Sequence, residues 1–384
     1  MFGFGRLASY EYFGHLERAL SERIREAGDD VAVHVAQVAP TASIRRRALT
    51  LAQLVAETCE EGGPGGGPIH LVGHSTGGLD ARLLASPTAS LARTSRGTPW
   101  QPRIASVTTI NAPHFGTPLA SFFTTVSGMR VLTALSALTV VALSVGAPPL
   151  SAMGALVAAF GRVDRTLGLD VKMLERATDA LLHGIEGARS KEVRRYIAAI
   201  KEDSGSMVQL MPEAMDLFIA GVEDRPGVLY QSTASMAPPP TAGTLLRSLR
   251  DPRSAVSAGI FALLYAIASR YDRRYPCAAA DAGEDNERGL ARAFGRSPGE
   301  HENDGVVPVR SQIWGRLVWA GYGDHLDVIG HFHGDERGAS GHTPAHVDWL
   351  RSGSAFDLAR FASLMDAVAG GLLSSGRAWA GRPG

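Results

Sequence analysis

The spacing of hydrophobic and polar positions predicts that helices and strands alternate along the first part of the chain. Apolar residues recur at helical spacing over residues 11–26 and again over residues 43–60, where Ser43 is a suitable N-cap. Residues 31–38 alternate as a strand does, and residues 69–72 and 104–110 are short apolar runs. Strands that alternate with helices at this spacing predict a parallel sheet with helices on both faces.

The last part of the chain continues this pattern. Residues 251–269 and 356–373 have the periodicity of helices, and residues 316–320 are predicted to be the last strand of the sheet. Residues 281–303 are polar and are predicted to form a loop.

The middle of the chain contains a long uncharged stretch, since residues 131–161 include no Asp, Glu, Lys or Arg. Its length would span a bilayer, but the sequence Gly-Ala-Pro-Pro at 146–149 divides it into two pieces. We favour two apolar helices that cover an apolar site as a lid. A membrane-inserted hairpin, with membrane contact through this stretch, and a buried core segment are the alternatives.

Composition and charge narrow the class of protein. A chain of 384 residues with 45% hydrophobic residues can bury a large core. Because 38 basic residues balance 38 acidic ones, a nucleic-acid partner has no electrostatic support. The sequence begins without a basic segment followed by an apolar one, so no signal peptide is predicted, and the protein as sequenced is expected in the cytoplasm.

The sequence Gly-His-Ser-Thr-Gly at residues 73–77 is the first motif that indicates catalytic chemistry. It follows an apolar run and precedes helix-forming residues, so it predicts a sharp turn between a strand and a helix. Ser75 would lie exposed at the top of that turn, which is where a nucleophilic serine is needed. The alternative is an ordinary glycine-rich turn.

A serine nucleophile needs a histidine base and a carboxylate that orients the base. Asp304 in a predicted turn and His325 on the loop after the last strand follow Ser75 in the chain order of α/β-hydrolases. Their alternatives are a turn-forming aspartate and a solvated histidine. Asp324 and Asp327 compete as the acid but lie too close to His325 in sequence to support its ring. The histidines that compete as the base are His331, His333, His342 and His346.

Several segments resemble the bacterial true lipases of the α/β-hydrolase fold, the triacylglycerol lipases of the Pseudomonas and Burkholderia group. The matching segments run through the chain in family order and are residues 73–78, 109–117, 303–307 and 325–327, with a weaker match at 210–218. The resemblance implies Ser75 as nucleophile, Asp304 as acid and His325 as base, and it favours a lid at 131–161.

The resemblance also implies a division of the chain. Residues 1–120 would form the N-terminal part of the α/β-hydrolase core, residues 121–205 a helical lid, and residues 206–384 the C-terminal part of the core. The fold would be α/β, with a mostly parallel central sheet and helices on both faces.

The oxyanion hole departs from the family pattern. The N–H of Thr76 supplies one donor, but the His-Gly loop that supplies the second is not found before the turn. The sequence Met-Phe-Gly-Phe-Gly at residues 1–5 resembles the residues just after that loop, which would put Met1 at the oxyanion position. We therefore hypothesise that the first strands and the His-Gly loop are encoded upstream of Met1. A signal peptide encoded there as well would make the protein secreted or membrane-associated.

The chemistry requires no cofactor, but the family binds one structural calcium near the catalytic histidine. Asp327 matches one carboxylate ligand, and Glu284 and Asp285 are candidates for the second. The alternative is an acidic, solvated loop.

The predicted function is that of a serine carboxylic-ester hydrolase, specifically a lipase that acts on acylglycerols or other long-chain esters at an interface. A carboxylesterase, a thioesterase and an intracellular polyester depolymerase share the same chemistry. The alternative of another class is a non-catalytic lipid- or membrane-binding relative without a complete oxyanion hole.

Overall fold

The structure is a computed structural model of the chain. The residues that it describes are 6–7, 10–61, 66–89, 91, 99–145, 198, 202–248, 251–275, 277–333 and 348–381.

The centre of the fold is a four-stranded sheet in which every neighbouring pair is parallel and the strand order follows the chain. A short antiparallel pair, β1 (Arg6–Leu7) and β2 (Tyr10–Glu11), precedes it. The strands of the sheet are β3 (Ile69–His74), β4 (Ile104–Ile110), β5 (Leu229–Met236) and β6 (Arg316–Tyr322). The predicted α/β class with a parallel sheet is therefore confirmed.

Helices precede, separate and follow the strands along the chain. They are α1 (Gly14–Glu26), α2 (Ile44–Glu61), α3 (Thr76–Ala85), α4 (Pro118–Phe123), α5 (Val126–Val145), α6 (Gly205–Gln209), α7 (Pro212–Gly221), α8 (Ala242–Ser248), α9 (Pro252–Ala268), α10 (Glu284–Phe294) and α11 (Leu358–Ala380). The Ser43 hydroxyl accepts a hydrogen bond from the N–H of Arg46 at 3.3 Å, which confirms Ser43 as the predicted N-cap of α2.

Helices cover both faces of the sheet, as predicted. Leu71 on β3 packs in an apolar cluster with side chains of α2 and α3. The preceding residue, His70, lies beside Gly376 of α11. Successive side chains of a strand point to opposite faces of a sheet. α2 and α3 therefore cover one face, and α11 covers the other. The sheet is thus buried between two layers, which fits its parallel strands.

Two of the predicted elements are wrong. Residues 31–38 form no strand, because alternation of side chains does not by itself supply a neighbouring strand to pair with. Residues 281–303 are not a loop throughout, since they contain α10. Its buried residues Leu290 and Phe294 lie four positions apart and pack against Met236, and the charged residues around them concealed this short apolar stripe.

The uncharged stretch 131–161 is described only in its first half. Val131, Leu132 and Leu135 of α5 are buried in the largest apolar cluster, so this part of the stretch packs as core. Residues 146–161 lie outside the described residues, as do residues 164–197 of the charged stretch 164–201, whose amphipathic pattern predicts a helix. Among the helices described, none has the length and hydrophobicity that a membrane crossing requires.

Candidate active site

The carboxyl ends of the parallel strands meet at one edge of the sheet, and the loops that leave them carry the predicted site. Ser75 follows β3, Asn111 follows β4 and His325 follows β6. The loop with Asp304 reaches the same edge, because the N–H of Ala237, just after β5, donates to the carbonyl of Asn303 at 2.9 Å. This edge is the usual place for a ligand site in an open α/β sheet.

Ser75 occupies a sharp turn between β3 and α3, as the motif predicts. Its φ of 55° and ψ of −131° lie outside the regions that a residue with a side chain prefers. Such a conformation costs on the order of 1–3 kcal/mol and persists because the surroundings impose it. The N–H of Ser75 donates to the carbonyl of Ile110 at 2.9 Å, which fixes the turn against the next strand.

The glycines of the motif have different roles in this turn. A Cβ at Gly73 would lie 2.2 Å from the carbonyl oxygen of Gly77, and a Cβ at Gly78 would lie 2.6 Å from the Cβ of Ala112. A Cβ at Gly77 would contact nothing within 4 Å. The close crossing of strand and helix therefore requires Gly73 and Gly78. Both outer glycines of the motif, Gly73 and Gly77, are expected to leave room for such a crossing; the expectation is confirmed for Gly73 and wrong for Gly77.

Asp304 lies in a tight turn that Asn303 and Pro308 close by a β-bridge. One carboxylate oxygen, Oδ1, accepts hydrogen bonds from the N–H groups of Val306 at 2.9 Å and Val307 at 2.8 Å. The side chain is fully buried. These two backbone donors occupy Oδ1, and the other oxygen, Oδ2, is directed towards the loop that carries His325.

His325 and Asp304 are bonded through both backbone and side chain. The N–H of His325 donates to the carbonyl of Asp304 at 2.9 Å, and Nδ1 of the ring lies 2.7 Å from Oδ2. Both side chains are fully buried. Because a carboxylate can only accept, Nδ1 carries the proton in the neutral ring and Nε2 presents a lone pair. This is the tautomer that a general base needs to take a proton from a serine hydroxyl.

The structure brings the predicted acid and base together but does not bond the base to the nucleophile. Nε2 of His325 is buried and forms no hydrogen bond to any residue that the structure describes. Catalytic hydrogen bonds are often long without substrate and tighten in the reactive complex. The N–H of Thr76, predicted to be one oxyanion donor, belongs to the first residue of α3 and therefore has no partner within the helix. Met1, the other predicted donor, lies outside the described residues.

His74 is a residue of the site to which the sequence reasoning gave no role. Its Nε2 donates to the carbonyl of His325 at 2.9 Å, and the two rings lie 4.6 Å apart. Burial, and then the neighbouring His325, lower the pKa of His74 well below its usual value, so its ring is neutral. Its position beside Ser75 in the motif was the available signal.

Asn111 was also missed, although it lies in a segment that carries the family resemblance. It is fully buried, and its side-chain Nδ2 lies 2.9 Å from Oδ2 of Asp304. Its φ of 49° is left-handed, a conformation that asparagine tolerates better than most residues. An asparagine directly after a strand that ends at the site was the signal.

Of the competing histidines that the structure describes, neither His331 nor His333 forms a hydrogen bond to Asp304. Nε2 of His331 lies 3.1 Å from the carbonyl of Tyr12, and His333 is exposed. Asp324 is bonded to the N–H groups of Leu326 and Asp327 and so caps the turn that follows His325. His342 and His346 lie outside the described residues.

The predicted calcium ligands lie towards opposite ends of β6. Glu284 and Asp285 are exposed at the start of α10 and pair with Arg288. The start of α10 lies at the amino end of β6, because Asn286 bonds to Gly315 and Leu317, whereas Asp327 follows the carboxyl end of β6.

Asp327 instead forms hydrogen bonds that stabilise the loop that carries His325. Its Oδ2 accepts hydrogen bonds from the N–H of Asp324 at 2.8 Å and from the hydroxyl of Ser354 at 2.7 Å. Burial, and then the charge of Asp324, raise the pKa of Asp327 well above its usual value. Within the described ranges no group of three His, Cys, Asp or Glu residues is suited to hold a metal ion.

No family model matches the sequence, and no curated protein matches it. The chain is similar to several solved structures. The Staphylococcus hyicus lipase is 15% identical with a TM-score of 0.49, over 98% of this chain and 94% of its own. Lipase 1 from Pelosinus fermentans is 17% identical with a TM-score of 0.49, over 96% of both chains. EstA from Clostridium botulinum is 16% identical with a TM-score of 0.44, over 96% of this chain and 86% of its own.

Proposed function

We propose that the protein is a serine carboxylic-ester hydrolase. The observation that carries the proposal is the buried pair of Asp304 and His325, which lies at the same sheet edge as the strained Ser75. A buried histidine with a fixed tautomer, at the same sheet edge as a serine on a strand-to-helix turn, fits the arrangement that nucleophilic acyl transfer requires.

The reaction follows from these roles. His325 Nε2 takes the proton of the Ser75 hydroxyl as its oxygen attacks the ester carbonyl, and the imidazolium that forms is stabilised by Asp304. The N–H of Thr76 donates to the developing oxyanion. His325 then gives its proton to the leaving alcohol, which leaves an acyl group on Ser75. A water molecule, activated by the same histidine, releases the acid and restores the serine.

We propose long-chain esters, with acylglycerols first among them, as the substrate class. The support is the lipase resemblance of the segments around Ser75, Asp304 and His325. The Pseudomonas and Burkholderia group remains the narrower proposal, and the solved structures named above come from other genera.

The test is hydrolysis of para-nitrophenyl esters of increasing chain length, below and above the concentration at which they form micelles. We expect activity that rises with chain length and increases above that concentration, and Ser75→Ala should abolish it. A rate that falls with chain length and does not increase when micelles form would support a carboxylesterase instead. Binding to lipid vesicles without any ester hydrolysis by folded protein would favour the non-catalytic alternative.

A further inference from the structure

Asp304 accepts a hydrogen bond that the roles of the triad do not account for. Its Oδ2 lies 2.7 Å from Nδ1 of His325 and 2.9 Å from Nδ2 of Asn111, so both groups donate to the same oxygen. With the N–H groups of Val306 and Val307 on Oδ1, the carboxylate has four donors. That number fills the acceptor sites of a carboxylate.

The orientation of the Asn111 amide follows from its partners. Nδ2 also lies 2.5 Å from the hydroxyl oxygen of Ser235, while Oδ1 lies 3.5 Å from the hydroxyl of Thr233. If the amide were turned over, its oxygen would face the oxygen of an ionised Asp304. Because two acceptors repel at that distance, the donor orientation is the one that the network allows.

The backbone holds Asn111 in place from the other side. It directly follows β4, its N–H donates to the carbonyl of Thr233 at 3.3 Å, and its φ is 49°. The residue and its partners are fully buried, so water does not compete for the carboxylate. A charge-assisted hydrogen bond in such a place is stronger than the same bond at the surface.

From this geometry we infer that Asn111 is a positioning residue for the acid of the triad, an inference that rests on the proposed function. Its amide donates to Oδ2 of Asp304 and keeps this oxygen directed towards His325. The same hydrogen bond stabilises the negative charge that faces the ring. Asn111 acts through Asp304 and contacts neither Ser75 nor the ester. Its loss should therefore lower kcat and leave KM unchanged.

The test compares Asn111→Gly with Ser235→Ala in otherwise intact protein. Glycine removes the amide yet accepts the left-handed φ without strain. Ser235→Ala is the matched control, because it removes the other acceptor of the same amide and leaves the bond to Asp304 intact. We expect Asn111→Gly to lower kcat about ten-fold, since a hydrogen bond to a charged group is lost, and Ser235→Ala to change it less than two-fold.

A second measurement, by nuclear magnetic resonance, does not depend on activity, and its first readout needs only the wild-type protein. Each donated proton lies about 1.9 Å from the shared oxygen, so the protons on Asn111 Nδ2 and His325 Nδ1 are within about 4 Å of each other. We expect a nuclear Overhauser contact between them, and a shift of the His325 Nδ1 proton resonance in Asn111→Gly but not in Ser235→Ala.

The outcomes separate this inference from the proposed function. If the wild type hydrolyses esters but Asn111→Gly keeps its kcat and its His325 resonance, the role of Asn111 is refuted and the hydrolase stands. If the wild type is folded but inactive, the proposed function fails. In that case the Overhauser contact and the resonance shift support the role of Asn111 in orienting Asp304, and their absence refutes it.

Discussion

The two sides of the candidate active site are held by different forces. Asp304 and His325 are fully buried and joined by polar contacts that come from segments far apart in the sequence. Ser75 is half-buried and is held by the backbone, through a left-handed φ of 55° and the close crossing of β3 and α3. Proton transfer is thus prepared by hydrogen bonds, whereas the nucleophile is positioned by steric packing.

This difference predicts which variants change catalysis and which change folding. Changes on the side of Asp304 and His325 should lower the rate in a protein that still folds. Changes in the turn around Ser75 should lower stability first. The following predictions test that contrast, from the largest expected effect to the smallest.

The largest effect is expected for Asp304→Asn. An amide at this position no longer fixes the Nδ1-protonated tautomer of His325, and the imidazolium loses its counter-charge. We expect kcat for ester hydrolysis to fall about 10⁴-fold, as at other triads in which the acid becomes an amide. Circular dichroism should show a folded protein. A folded variant with wild-type kcat would remove Asp304 from the triad.

On the nucleophile side, Gly73→Ala should act on folding. The new Cβ would meet backbone atoms at 2.2 Å, so strand and helix must separate. We expect a loss of about 3 kcal/mol in the free energy of unfolding, the upper end for an overpacked core. Urea denaturation measures it.

Gly77→Ala is the matched control, since a Cβ there meets nothing within 4 Å. Within α3, alanine should stabilise the helix by up to about 1 kcal/mol relative to glycine. Equal losses of stability at Gly73 and Gly77 would contradict the steric account of the turn.

His70 provides a half-buried histidine outside both sides of the site. It lies on β3, its Nδ1 is 2.8 Å from the hydroxyl of Ser106, and burial lowers its pKa from 6.5 to about 4. Above pH 6.5 the ring is neutral in the folded and in the unfolded protein, so it contributes nothing to the pH dependence of the free energy of unfolding. As the pH falls from 6.5 to about 4, the unfolded state takes up the proton first, so stability is lost.

We expect this residue to account for a loss of about 2 kcal/mol between pH 7 and pH 5. His70→Gln should lose that much less stability over the same range in urea denaturation. An identical pH dependence in the two proteins would show that His70 is not the origin. Ester hydrolysis at pH 7 should be unchanged, which distinguishes His70 from His74 on the same strand.

The smallest effect is expected for His74→Leu. The variant removes the hydrogen bond that holds the carbonyl of His325, so the catalytic loop loses one support. We expect kcat to fall about five-fold with KM unchanged, which corresponds to one neutral hydrogen bond. His74→Gln, which can still donate, should recover part of the rate. A large increase in KM would instead place His74 in substrate binding.

The sequence was most informative where a local pattern determines structure. The apolar runs at β3 and β4, the N-cap at Ser43 and the turn at Ser75 are confirmed, because each depends on residues within a few positions of one another. α10 was missed for the opposite reason: its stripe of Leu290 and Phe294 is recognisable only against the strand that it covers.

The site shows the same limit. Asp304 and His325 were predicted from chain order and loop position, and the structure places them in contact. Asn111 and His74 could be recognised as neighbours of the site from their places after β4 and beside Ser75, but their partners lie 193 and 251 residues away along the chain, so the sequence does not show what each one bonds to. The calcium ligands Glu284, Asp285 and Asp327 stay a prediction, but their proximity to the acid and base in sequence does not place them at the same end of β6.

The central claim is that Ser75 is a nucleophile activated by His325, and covalent labelling tests it most directly. The folded protein would be treated with a fluorophosphonate, digested, and the modified residue identified by mass spectrometry. We predict one adduct, on Ser75, that forms with the wild type and forms far more slowly in His325→Ala and Asp304→Asn. A folded wild-type protein that gives no adduct on Ser75, or labels equally fast without His325, would contradict the account.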